Sequence, residues 1–173
     1  GLSLATGRRA IEILYQGDFT KTHDNQVKFV GQAKKTGGAN GDVFNIFTLV
    51  DADLVINAFK ALRSLDEIKS LSEFDKLSEV ERNEKINLRC AKNLNTLTKR
   101  IFNDDKWVFK DSRDLWARAV RDVYYPDYQK KTNKSEDKFW QEQLGHESIE
   151  TQVAYKKFNL SFDDYNENDT EEN

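Results

Sequence analysis

The sequence predicts a mainly α-helical domain with one small antiparallel β hairpin or sheet. Three observations lead to this prediction. Apolar residues recur at intervals of three and four from Asp51 onward, as on the buried face of a helix. Two short runs rich in Val, Phe and Ile lie between residues 27 and 49, and a glycine-rich turn separates them. At 173 residues the chain can bury one core and is expected to form one domain.

Composition excludes several classes of protein. The chain is 38% hydrophobic and 33% charged, and it contains neither an apolar run long enough to span a membrane nor a secretory signal pattern. Cys90 is the only cysteine, which excludes an internal disulfide and indicates a reducing compartment. With only His23 and His146 besides that cysteine, there are too few ligands for a structural zinc site.

Charge is unevenly distributed along the chain. The segment from Ser161 to Asn173 holds six acidic residues and no basic ones, which leaves 27 basic against 24 acidic residues in the remainder. Such segregation is compatible with a basic groove for nucleic acid and an acidic appendage. A solvated, frayed terminus explains the same composition. We therefore divide the chain into a domain at residues 1–160 and an acidic tail at 161–173 that is predicted to be disordered.

Residues 1–15 predict a helix with a break at Gly7. A glycine in a helical pattern costs about 1 kcal/mol relative to alanine. Its presence therefore needs a reason, such as a close approach of the backbone to a ligand. Glu12 follows Arg9 by three residues and so lies on the same helical face. The carboxylate either holds the guanidinium in position or forms an ordinary surface ion pair.

The two predicted strands are Val27–Ala33 and Phe44–Leu49, joined by a hairpin turn rich in glycine. Lys34 and Lys35 lie at the start of this turn. Lysines at such a place can keep a sheet edge soluble. They can equally form a finger that reaches into a DNA groove or presents an acid to a leaving group.

Helical periodicity begins at Asp51 and returns in a longer helix from Ser78 to Phe102. We interpret the apolar stripes of both helices as core. Cys90 falls within the longer helix and is predicted to be a small buried hydrophobe.

The next helix is predicted to begin near Arg113, with Asp111 or Ser112 as its cap, and to end at Pro126. A helix N-terminus beside Lys110 and Arg113 favours an anion, because unpaired backbone N–H groups and the helix dipole add to the side-chain charge.

A further helix is predicted from about Ser135 to Leu144, closed by Gly145 in the left-handed conformation. His146 follows directly. A short helix capped by Ser148 then presents Tyr155, nine residues after the histidine.

Taken in order, these motifs resemble the catalytic series of the tyrosine recombinases. The elements are Thr6-Gly7-x-Arg9-x-x-Glu12, a lysine on the following hairpin, Lys110 three residues before Arg113, Leu144-Gly145-His146, and Tyr155. The resemblance covers the chain to about Phe158. It implies the fold of the tyrosine recombinase and type IB topoisomerase catalytic domains.

Three features point to one subgroup that the chain resembles, the protelomerases or telomere resolvases of linear phage and bacterial replicons. Integrases usually have histidine where this chain has Lys110, and their interval between the second arginine and the histidine is shorter. The hairpin sequence Gly-Gln-Ala-Lys-Lys also resembles this subgroup. The catalytic set that the resemblance implies is Arg9, Lys34, Lys110, Arg113, His146 and Tyr155, with Lys35 as an alternative to Lys34.

The resemblance also implies a role for each residue. Arg9 and Arg113 grip the non-bridging oxygens of a phosphodiester, and Lys110 adds a further cation. Tyr155 is the nucleophile that forms a phosphotyrosine link. Lys34 protonates the departing 5′ oxygen, and His146 donates a hydrogen bond to the phosphate.

The resemblance further implies the partners and the setting. The partner is double-stranded DNA with a palindromic telomere site, which a homodimer cleaves and rejoins as hairpin ends in the cytoplasm of a bacterial host. Neither metal nor cofactor is expected, because the arginines supply the positive charge. The chain is expected to be a catalytic fragment without the N-terminal DNA-clamping region of its relatives. Two alternatives remain open: a tyrosine integrase that exchanges strands between duplexes, and a DNA-binding module without catalytic activity.

Overall fold

The chain places its helices around a three-stranded antiparallel sheet, in a computed structural model that describes residues 1–33 and 43–145. The α-helices are α1 (Leu2–Thr6), α2 (Ala52–Ser64), α3 (Asp66–Lys69), α4 (Glu79–Phe102), α5 (Asp111–Thr132) and α6 (Glu136–Leu144). A π-helix spans Glu12–Gln16, a 3-10 helix spans Ser70–Phe74, and the strands are β1 (Asp18–His23), β2 (Gln26–Val30) and β3 (Phe44–Phe47). The predicted fold class, mainly α with a small antiparallel sheet, is confirmed.

The sheet has the strand order β1-β2-β3, and Phe19, Phe29 and Phe44 lie side by side across it. Strands β2 and β3 were predicted, whereas β1 was missed because it buries only Phe19 and so lacks an apolar alternation. Strand β2 ends before its predicted limit at Ala33. Gly31 has a φ of +87° and turns the chain out of the sheet.

Two apolar clusters flank the region where the sheet meets the last helices. One contains Phe19 and Phe29 from the sheet with Phe59 from α2. The other is centred on Trp116 of α5 and Phe139 of α6, both 0% exposed. These clusters fix the sheet and the two C-terminal helices around the N-terminal segment.

Helix α4 begins as predicted, because Ser78 and Glu81 form a reciprocal capping box. The prediction that its apolar stripe is core is largely wrong, since Val80 and Leu88 are 75% and 70% exposed. The helix packs along one side only, where its buried Ile86 joins a small cluster with residues of the π-helix and the 3-10 helix. Cys90 is half-buried rather than buried.

Helix α5 corrects two predictions. It begins at Asp111, with Lys110 at the N-cap and no side-chain capping bond. It also continues through Pro126 to its end at Thr132. Tyr125 and Tyr128, on either side of the proline, pack their rings 5.4 and 5.1 Å from that of Phe139. This tertiary packing offsets the backbone hydrogen bond that proline cannot donate.

Helix α6 begins after the N-cap Ser135, as predicted, and ends at Leu144. Gly145 has the predicted positive φ of +75°, but its ψ of 97° lies outside the left-handed helical region. Within the described ranges, none of the helices is long and apolar enough to cross a membrane.

Candidate active site

The candidate site lies where four segments of the chain meet. They are residues 7–12 after α1, residues 31–33 after β2, the first turn of α5 and the last turn of α6. Hydrogen bonds that span up to 135 residues of sequence connect these segments. The sheet and the C-terminal helices thus bring together groups that are remote in the sequence.

Glu12 is the centre of the site, and it is 0% exposed. Its Oε2 accepts the backbone N–H of Arg9 at 2.8 Å, while Oε1 accepts Arg9 Nη1 at 3.0 Å and the N–H of Ala33 at 3.1 Å. Burial by itself would raise the pKa of this carboxyl. Attraction to Arg8, Arg113 and Arg9 and the backbone hydrogen bond outweigh burial and lower that pKa. Glu12 is therefore an ionised anchor for Arg9 rather than half of a surface ion pair.

Arg9 and Arg113, the two arginines of the predicted set, converge on this carboxylate from different elements. The Arg9 side chain is 36% exposed and lies with Nη1 3.4 Å from the Ala33 carbonyl oxygen. Arg113 is 5% exposed. Its Nη1 donates to the carbonyl of Gly7 and its Nη2 to that of Leu144 at 3.4 Å. The structure thus places one partly exposed and one buried guanidinium beside the same anion.

Gly7 allows this approach by ending α1 in the left-handed conformation, with φ +65°. A Cβ at this position would lie 2.0 Å from Cε3 of Trp116. The backbone therefore approaches the indole of Trp116, and the predicted reason for the glycine, contact with a ligand, is corrected accordingly. Its carbonyl then remains in place to accept Arg113.

Arg8 is a third cation that the sequence analysis missed. It is 0% exposed, and its guanidinium carbon lies 5.0 Å from the Phe29 ring centre and 5.8 Å from that of Trp116. Its Nη2 donates to the Gln143 carbonyl at 2.6 Å. The adjacent pair Arg8-Arg9 is visible in the sequence, but only the two aromatic clusters show that Arg8 points inward.

Gln143 was also missed, although it connects α6 to the sheet. Its side-chain Oε1 accepts the N–H of Phe47 at 2.8 Å, and its Nε2 donates to the carbonyl of Asn45 at 3.2 Å. The amide thus pairs with β3 as a neighbouring strand would. This contact fixes the last turn of α6, which leads to His146.

Of the remaining predicted residues, the structure describes only Lys110. Lys110 is exposed and lies one turn before Arg113, whose N–H donates to the Lys110 carbonyl at 3.0 Å. Lys34, Lys35, His146 and Tyr155, and the short helix predicted from Ser148, lie outside the described residues.

The described residues that directly precede Lys34 and His146 in the sequence both lie in the site. Ala33, which precedes Lys34 in the sequence, is hydrogen-bonded to Glu12. Gly145, which precedes His146, accepts a hydrogen bond from Nε2 of Gln32 at 3.0 Å. Ala33 and Gly145 are thus both held by hydrogen bonds to side chains of the site.

The charges of these groups suit the site to an anion. Three guanidinium groups attract the Glu12 carboxylate, so these four described side chains together have a net positive charge. Arginine presents a planar fork of donors that matches the oxygens of a phosphate. A mainly helical domain with a small sheet and such an arginine pair defines the class of the tyrosine recombinase catalytic domains.

Within this class, the chain belongs to the telomere resolvase family. The family model of the telomere resolvase ResT/TelK catalytic domain matches residues 1–158. The protelomerase of Yersinia phage PY54 is 38% identical over 161 residues, and that of Klebsiella oxytoca phage phiKO2 is 38% identical over 164. Each match covers 92% of this chain and 26% of the relative, so the chain spans about a quarter of their length.

Two solved structures share the fold of this chain. Protelomerase TelK complexed with substrate DNA superimposes with a TM-score of 0.83 at 35% identity, over 92% of this chain and 31% of that one. Protelomerase TelA covalently complexed with substrate DNA has a TM-score of 0.70 at 22% identity, over 92% of this chain and 51% of that one. The predicted tyrosine recombinase-type fold is thereby confirmed.

Proposed function

We propose that this chain is the catalytic part of an enzyme that cleaves double-stranded telomere DNA and reseals the strands as closed hairpin ends. The observation that carries the proposal is the convergence of Arg9 and Arg113 on the buried carboxylate of Glu12. Family membership supports it, because the matched relatives are protelomerases and the TelK structure holds substrate DNA.

The two arginines stabilise the transition state of phosphoryl transfer. A phosphodiester attacked at phosphorus gains negative charge on its non-bridging oxygens, and fixed donors aimed at those oxygens lower the barrier. Glu12 and the backbone carbonyls of Gly7 and Leu144 hold Arg9 and Arg113 before substrate arrives. Lys110, at the exposed start of α5, adds a cation near the same helix end.

The covalent step is assigned to Tyr155. Its phenolic oxygen forms a bond to phosphorus and gives its proton to water, while the bond from phosphorus to the 5′ oxygen breaks. Lys34 gives a proton to that departing oxygen, and His146 donates a hydrogen bond to the phosphate. Attack of a 5′ hydroxyl on the phosphotyrosine reverses these changes and reseals the strand.

The DNA partner is proposed to be a palindromic telomere site cut on both strands by a homodimer in the bacterial cytoplasm. Hairpin formation and strand exchange share the chemistry of cleavage, so the two reactions are distinguished by the DNA products that they form. The intact protein is incubated with linear duplex that contains the palindrome, and the DNA is run on denaturing gels. Strands of doubled length that snap back support hairpin formation, whereas strands joined between two duplexes overturn it.

A second experiment tests the nucleophile. Covalent protein–DNA adduct is trapped on a nicked substrate and measured for the unmodified protein and for Tyr155→Phe. Adduct is expected only with the unmodified protein. Persistence of adduct in Tyr155→Phe removes this tyrosine from the proposal, and a lack of adduct with either protein indicates a DNA-binding module.

The arginine roles predict large losses of cleavage. Arg9→Ala and Arg113→Lys are each expected to slow cleavage by about 100-fold or more, as for the loss of one transition-state donor. Lysine is chosen at position 113 because the side chain is buried against backbone carbonyls. Arg89→Ala on the exposed face of α4 is the matched control. Unfolding of Arg9→Ala by circular dichroism would identify Arg9 as a structural residue instead.

A substrate with sulfur at the 5′ bridging position identifies the general acid, because a thiolate leaves without being protonated. Lys34→Ala is expected to be slow on the ordinary phosphodiester and to recover on the sulfur substrate, while Lys35→Ala changes little on either. The reverse result assigns the acid to Lys35.

Binding to DNA should weaken steeply with salt, because neutralised phosphates release counterions. Affinity that stays flat between low and moderate salt would contradict phosphate recognition by this cluster.

A further inference from the structure

We infer that Gln32 is a positioning residue for the phosphate-binding arginines, because its side-chain amide ties the turn that holds Arg113 to the strand end that holds Arg9. This inference rests on the proposed function. Gln32 is not one of the residues assigned to the phosphate or to the covalent step.

The first observation is a shared acceptor. Nε2 of Gln32 donates to the carbonyl of Leu144 at 3.1 Å and to that of Gly145 at 3.0 Å. The Leu144 oxygen also accepts Nη2 of Arg113, at 3.4 Å. The amide therefore fixes one of the two carbonyls that hold the Arg113 guanidinium.

The second observation is the residue that follows Gln32. The carbonyl oxygen of Ala33 lies 3.4 Å from Arg9 Nη1, and its N–H donates to Glu12 at 3.1 Å. Two consecutive residues thus contact the surroundings of both arginines. The spacing between the guanidinium groups of Arg9 and Arg113 therefore depends on the position of residues 32–33.

The third observation is the fit between Gln32 and Gly145. A Cβ on Gly145 would lie 2.1 Å from Oε1 of Gln32, and the residue has a φ of +75°. The bare α-carbon therefore leaves the space that the Gln32 amide occupies. The glycine of the Leu-Gly-His motif is explained here by the side chain of another segment.

A purely structural role for Gln32 makes a different prediction. The same strand end is also held by Gln16, whose Nε2 donates to the carbonyl of Gly31 at 3.0 Å. Gln16→Leu removes one amide from this strand end without touching the turn at residues 144–145. It is therefore the matched control for Gln32→Leu.

The first measurement is the single-turnover rate of cleavage by the intact protein. Misplacement of a catalytic group by about 1 Å can cost about 100-fold in rate. Gln32→Leu is expected to fall by roughly 10- to 100-fold, while Gln16→Leu stays near the unmodified rate. Equal losses in the two variants would overturn the inference, since both would then reflect loss of the strand end.

The second measurement tests whether Gln32→Leu slows cleavage because it displaces the arginines. In a methylphosphonate substrate, a methyl group replaces one non-bridging oxygen, so less negative charge develops and less cationic stabilisation is needed. The defects of Gln32→Leu and Arg113→Lys are both expected to shrink on this substrate. The double variant is expected to be no slower than Arg113→Lys alone. A Gln32→Leu defect that is unchanged on methylphosphonate, or that adds fully to Arg113→Lys, would overturn the inference.

Gln32→Asn gives an independent test if leucine impairs folding. It keeps the amide but is one methylene too short to reach both carbonyls, so the same loss and the same methylphosphonate response are expected. Failure of the proposed function would give a different pattern of cleavage rates from failure of the role of Gln32. If Arg9→Ala and Arg113→Lys cleave at the unmodified rate, the phosphate site itself is wrong. If those variants are slow and Gln32→Leu is not, only the role of Gln32 is wrong.

Discussion

Replacement of Glu12 by glutamine tests the buried carboxylate on which the site depends. Glu12→Gln keeps the shape of the side chain but removes its charge. Glu12 accepts three hydrogen bonds, two from Arg9 and one from Ala33. An amide must turn its NH2 group toward at least one of these donors. The variant therefore loses a charged acceptor and removes a negative charge that attracts three guanidinium groups.

The expected loss of stability is large. Removing one partner of a buried ion pair costs about 3–5 kcal/mol. For a chain of this size, that corresponds to a fall in Tm of roughly 10 °C. Glu73→Gln is the control, because Glu73 pairs with Arg89 at the surface and its side chain is 54% exposed. Exposed ion pairs contribute about 0–1 kcal/mol.

The pH dependence gives a second readout. The pKa of Glu12 is lower in the folded protein than its ordinary value of 4.5, so its stabilisation is fully present above pH 4.5. That stabilisation is lost as the pH falls from there through the folded pKa. The gap in unfolding free energy between the unmodified protein and Glu12→Gln should therefore narrow in acid.

Urea denaturation followed by circular dichroism, at neutral pH and at several acid pH values, measures both effects. If Glu12→Gln and Glu73→Gln have the same free energy of unfolding at neutral pH, the view that the Glu12 carboxylate organises the arginines is refuted. A gap that does not change with pH would show that the variant acts through packing and not through charge.

Three further predictions concern the scaffold of the site, each measured as the change in unfolding free energy. Gly7→Ala should lose about 2–3 kcal/mol, because a left-handed residue gains a Cβ that meets the ring of Trp116; a neutral result would mean that the ring moves aside. Gln143→Leu should lose about 2–4 kcal/mol, since it leaves the N–H of Phe47 and a β3 carbonyl without their partner. Pro126→Ala should gain roughly 1–2 kcal/mol, because it restores a helical N–H at an exposed position inside α5; a loss would show that the proline shapes the packing of the adjacent tyrosines.

Local signals in the sequence determined most of the helices. Ser78 with Glu81, and Ser135, cap helices where the pattern predicted them. These signals act within one turn, so they can be recognised without knowledge of the fold. Strand β1 was not predictable in this way because it buries only Phe19, and the course of α5 beyond Pro126 was not because it depends on packing against Phe139 of another helix.

The sequence by itself also predicted a set of site residues, through its resemblance to the tyrosine recombinases. In that resemblance, Arg9 and Arg113 were predicted to bind a phosphate and Glu12 to belong to the same motif as Arg9. The tertiary structure decided how those residues are held. Arg8 and Gln32 act through backbone carbonyls at residues 143–145, more than a hundred residues away. A carbonyl is present in every residue and leaves no mark in the sequence, so only the fold could show which ones the arginines and amides meet.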